Sequence, residues 1–100
     1  MEEWAEEAVE QLERITRDPF AGAARGTVRV LGASMPEGTA RYQECRLTLL
    51  AQAHGLETAV IETAVVFPRR RWPREGDMAP ARISRTVPGA VEVDWEALTR

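Results

Sequence analysis

The sequence predicts an α+β domain that is mainly β: an N-terminal amphipathic helix, then five antiparallel strands curling into a partly closed barrel. Three observations carry this expectation. Apolar residues recur at helical spacing over residues 2–17. The period changes to twofold after residue 26, and short Gly- and Pro-bearing turns separate the twofold segments.

The helix rests on Trp4, Ala8, Leu12 and Ile15, which form one apolar stripe with Ala5 and Val9 beside it. Glu10–Arg14 and Glu13–Arg17 are i,i+4 pairs in the favourable orientation. Glutamates crowd the first turns and arginines the last, which suits the helix dipole. Asp18-Pro19 ends the helix, because a residue before proline avoids the α region. The predicted organisation is an acidic helix over 1–18 packed on the domain, a connector over 19–26 anchored by Phe20, and a barrel-like domain over 27–100. The same stripe also suits a helix-mediated homodimer.

Thr27–Leu31 is the first predicted strand, with Val28 and Val30 on one face. A loop from Gly32 to Gly38 leads to a second strand, Ala40–Ala53, in which Cys45, Leu47, Leu49 and Ala51 alternate with polar residues. His54-Gly55 sits where a tight hairpin turn belongs. In the third strand, over 57–67, Ala59, Ile61, Thr63, Val65 and Phe67 face one way and Val60, Glu62, Ala64 and Val66 the other. The apolar run Val65-Val66-Phe67 predicts cover on both faces at that end. Ala79–Arg85 is the fourth strand, placed at an edge or begun by Pro80. The fifth carries Val91, Val93 and Trp95 against Glu92, Asp94 and Glu96, and residues 97–100 could add a helical turn.

Five short strands manage their edges by partial closure or by a covering helix. A five-stranded Greek-key barrel of the OB type is the expected architecture, and an open meander with the helix across it is the alternative. The stretch FPRRRWPREGDMAPARI followed by VPGAVEVDW resembles small β-domains of unknown function in actinobacterial proteins. In those, a WP-x-x-G turn precedes a short strand, and a proline-bearing turn leads to a last strand ending in an acid and a Trp. The resemblance spans about residues 26–96; it implies a fold and no catalytic residues.

A chain of 100 residues makes one domain. Its 44% hydrophobic content supports a core without metals or disulfides. The single cysteine, Cys45, has no intrachain partner, and Glu2, Glu3, Glu6 and Glu7 oppose the basic start of a signal peptide. No apolar run reaches membrane-spanning length, so the expectation is a cytoplasmic protein with no membrane partner. All thirteen basic residues are arginine, as a GC-rich genome also favours. Net charge is −3 overall. Residues 1–18 hold seven acids against Arg14 and Arg17, while the remainder is mildly basic.

Enzyme chemistry has little support. His54, the only histidine, occupies a turn, and Cys45 shares the apolar face of its strand. One His and one Cys exclude a structural zinc site within the chain. Glu92, Asp94 and Glu96 share a strand face; they suit a divalent cation, or ion pairing with a neighbouring strand that carries Arg82. No glycine pattern makes a phosphate loop. The expected function is therefore non-catalytic binding or assembly, with no cofactor and no metal.

The contact site is expected in the basic loop, through Arg69, Arg70, Arg71, Trp72 and Arg74. Arg and Trp are enriched at protein–protein hot spots, which makes a protein the expected partner. Phosphate contact with a base stacked on Trp72 makes single-stranded nucleic acid, or another polyanion, the alternative. A plain connector would instead fold Trp72 back toward Phe67.

Overall fold

The structure is a computed structural model that describes residues 18–98. The predicted helix and its stripe Trp4, Ala8, Leu12 and Ile15 lie outside the described residues. Five strands follow in sequence: β1 (Ala24–Ala33), β2 (Tyr42–Ala53), β3 (Ala59–Pro68), β4 (Met78–Ile83) and β5 (Val91–Val93). A 3₁₀ turn, Arg69–Arg71, follows β3, and a short helix, α1 (Trp95–Leu98), follows β5. They form one antiparallel sheet in the order β3-β2-β1-β4-β5, curved into a half-barrel.

Twofold alternation builds one buried face. Val28 and Val30 of β1, Cys45, Leu47, Leu49 and Ala51 of β2, and Ala79 and Ala81 of β4 are all buried. Register aligns them, with Val30 opposite Leu49, Leu49 opposite Ile61, and Val28 opposite Ala79. Leu98 of α1 and the half-buried Trp72 and Trp95 close over this layer. Burying a Leu side chain here contributes about 2 kcal/mol by transfer from water. Gly26 fits between strands because a Cβ there would strike Gln52 O, Ala53 Cβ and Ile83 Cδ1.

The sheet has two edges, β3 and β5, and side chains span the seam between them. Phe67, near the end of β3, meets Trp95 edge-to-face at 5.8 Å and Trp72 at 6.4 Å. Rings at these distances and angles attract beyond their area burial.

Several elements depart from the sequence expectation. β5 stops at Val93; Asp94 turns the chain, its Oδ1 accepting from Ala97 N–H, and Trp95 opens a helix where strand was expected. A carboxylate at an N-cap satisfies amides that an extended strand would have paired. Cover on both faces of Val65-Val66-Phe67 is also not what the half-barrel gives. Phe67 is buried, but Val66 points to the other face and is 61% exposed. Pro80 sits within β4, beside β5, and not at an outer edge. Its carbonyl accepts from Asp94 N–H just past the end of β5, so its missing N–H breaks no ladder pairing.

A cleft lined by arginines at one end of the sheet

The start of β2 and the end of β3 lie side by side, with Tyr42 opposite Pro68. One residue further on, Arg69 N–H donates to Arg41 O at 2.7 Å, which carries the pairing past the strand ends. Pro68, extended at φ −62° and ψ 134°, then turns the chain into the 3₁₀ segment. The result is an open cleft of about 640 Å³ lined by Thr39, Arg41, Tyr42, Pro68, Arg69 and Arg70. Three arginines and no acidic residue line it. Tyr42 stands beside them, 69% exposed.

The loop beyond is tied down. Trp72 donates from Nε1 to Ser34 O at 2.7 Å, and its ring packs on Phe67. Pro73 is fully buried. Asp77 accepts from Arg74 N–H through Oδ2 at 2.8 Å, and Gly76 N–H and Asp77 O bond the backbone of Val30. Gly76 has φ 92°, a conformation that glycine adopts without strain. The loop is therefore a fixed platform with its arginines outward.

The predicted contact residues thus separate into two groups. Arg69 and Arg70 line the cleft, and Arg71 and Arg74 are exposed next to it. Trp72 folds back onto Phe67, the placement expected of a plain connector, and the aromatic residue that lines the cleft is Tyr42. Arg41 and Tyr42 were not expected at the site, because they lie 27 residues before Pro68 and 26 before it in reach of the same end only through the β2–β3 register. Among the described residues, the side chains of Arg41, Arg69, Arg70, Arg71 and Arg74 make no hydrogen bond or ion pair.

Arginines elsewhere are engaged. Arg82 pairs with Glu92 at 3.5 Å, donates to Phe20 O at 3.0 Å, and lies over the Phe20 ring at 5.8 Å. Arg85 donates to Gly22 O at 2.9 Å. Cross-strand pairing thus accounts for Glu92, and Asp94 caps α1. No group of three or more His, Cys, Asp or Glu side chains converges among the described residues. His54 is exposed in its turn, which Gly55 completes at φ 81°. Cys45 is a buried free thiol, and desolvation raises its pKa, only partly opposed by hydrogen bonding to Ser34. No helix among the described residues is long and apolar enough to cross a membrane. No family model, curated protein or solved structure matches this chain.

Proposed function

We propose that this protein is a non-catalytic binding module that takes an anionic partner into the cleft of Arg41, Arg69 and Arg70. The observation that carries this reading is that three arginines, their side chains unengaged by described residues, line one cleft without an acidic residue. Arginine forks match carboxylate and phosphate geometry, and mutual repulsion among three of them favours a bound anion. Arg71 and Arg74 extend the positive surface along the same rigid loop. An acidic segment of a partner protein fits this chemistry. Among the described residues His54 is exposed on a turn and Cys45 is buried in the core, so neither makes a nucleophile–base pair there, which supports a binding role. The lone buried thiol supports a cytoplasmic setting.

Single-stranded nucleic acid is the second reading, favoured by the exposed Tyr42 ring next to the arginines. Bases stack on such a ring while guanidiniums hold phosphates. The strand order supports it too, being that of a five-stranded OB-like barrel opened between β3 and β5. The deciding experiment titrates a labelled acidic peptide and a labelled single-stranded oligonucleotide against the protein and its Tyr42→Ala variant. Loss of oligonucleotide affinity by about 1–3 kcal/mol in that variant, with peptide affinity retained, selects nucleic acid. Equal effects on both ligands select the acidic protein segment. No binding of either at low salt overturns the proposal.

A further inference from the structure

The edge strands of this sheet differ sharply in how they are protected. β5 spans only three residues and runs directly into α1. β3 spans ten residues with a single charge, Glu62, no bulge, and no proline before Pro68. Long apolar edges of this kind pair with another strand unless something blunts them.

The register identifies the groups that β3 offers. Arg69 N–H bonds Arg41 O, and hydrogen-bonded pairs alternate along an antiparallel ladder. Odd-numbered residues of β3 therefore direct their amides at β2. The even-numbered residues Val60, Glu62, Ala64 and Val66 direct theirs outward. Among the described residues no hydrogen bond reaches them from that side. The exposed side chains of Val60 (63%) and Val66 (61%) stand above the same edge.

We infer that β3 is the interface of a homodimer, formed by antiparallel pairing of β3 with β3 of a second copy about a twofold axis at Thr63. Among the twofold registers of β3, this one gives every outward amide a partner and keeps the two Glu62 carboxylates from lying directly opposite each other. It sets Val60 against Val66 of the other copy, Ile61 against Val65, and Glu62 against Ala64. The outward amides of Val60, Glu62, Ala64 and Val66 then bond one another, about eight backbone hydrogen bonds in all. Moving the axis to Glu62 would place two carboxylates face to face, which destabilises a pair. Moving it to Ala64 would set Glu62 against Val66 and Val60 against Pro68, which has no amide to give. The chemistry that recognises this edge is thus the edge itself, and two half-barrels would share one continuous sheet. The inference is independent of the anionic-partner reading.

The test uses the full chain. Sedimentation should show a dimer, and a Val60→Lys/Val66→Lys variant should sediment as a monomer with unchanged circular dichroism. Mixing that variant with Val60→Glu/Val66→Glu should restore the dimer mass, since each Lys then opposes a Glu. Oxidation should crosslink Thr63→Cys, because directly opposite non-bonded residues lie about 4.5 Å apart at Cα, within disulfide reach. Ala64→Cys should remain uncrosslinked, because its own counterpart lies beyond about 7 Å. A monomer at all concentrations overturns the inference. So does a dimer that survives Val60→Lys/Val66→Lys, which would point to the N-terminal Trp4 stripe or another surface.

Discussion

The arginines at the two ends of this sheet do different work. Near the connector, Arg82 and Arg85 reach back to the carbonyls of Phe20 and Gly22, and Arg82 also meets Glu92 and the Phe20 ring. They fasten Phe20 and Gly22 to β4 and to the turn that follows it. At the far end, Arg41, Arg69 and Arg70 surround an open cleft without a counter-ion among the described residues. The same residue type is engaged where carbonyls and a carboxylate surround it, and has no described counter-ion where its neighbours are other arginines. Composition alone cannot draw that distinction; register and loop geometry do.

The largest effect is expected at the platform under the cleft. Trp72→Ala removes the ring from Phe67 and leaves Ser34 O without its donor. It should cost about 3 kcal/mol in chemical denaturation, and anion affinity should fall with it as the loop loosens. Retained stability would mean that the indole is not what fixes the loop.

At the connector end the corresponding lock is Ser84. Its Oγ donates to Pro19 O at 2.6 Å and accepts from Thr86 N–H and Val87 N–H. Ser84→Ala should cost about 1–3 kcal/mol by orphaning these partly buried groups, with anion binding unchanged. Arg82→Ala should cost less, about 0.5 kcal/mol, because its ion pair with Glu92 is half exposed to solvent. If Arg82→Ala weakened anion binding as much as Arg70→Ala, the division between the two ends would fail.

The core supplies the smallest effect. Burial holds the Cys45 thiol above its ordinary pKa, so the folded state keeps the proton that the unfolded chain loses above about pH 8.5. That contribution is complete below the unfolded value and is lost as pH rises through the folded one. Stability should therefore decline modestly on the alkaline side, and Cys45→Ala should flatten the decline. Thiol reagents should react with Cys45 only as fast as the fold opens.

Strand positions were legible in the sequence because each strand is half-buried. The alternation of Cys45, Leu47, Leu49 and Ala51, and the parity of β3, follow from a sheet with one dry face. The same signal misleads at strand ends. Val65-Val66-Phe67 reads as doubly covered, yet Val66 stays exposed on the outer face. Trp95 keeps strand parity but begins a helix, because the Asp94 carboxylate caps amides locally. The candidate site was half legible. Consecutive arginines at 69–71 stand out in any composition scan, while Arg41 and Tyr42 reach the cleft only through pairing across the β2–β3 hairpin. Trp72 shows the converse. An aromatic within a basic loop suggests contact with a partner, and here its ring and N–H serve the fold.

If the arginines of the cleft end, and not those of the connector end, meet the ligand, the difference should appear in the salt dependence of binding. The most direct test measures affinity for a polyanion against salt for three proteins: wild type, Arg41→Ala/Arg69→Ala/Arg70→Ala, and Arg82→Ala/Arg85→Ala. If each cleft arginine releases about one counterion from a single-stranded probe, the slope of log K against log salt should shrink by about 2 in the first variant. Its melting temperature should stay at the wild-type value. The second variant should keep the wild-type slope while melting earlier. Equal slopes in all three proteins, or the loss of slope in the connector-end variant alone, would show that the cleft arginines do not meet the ligand.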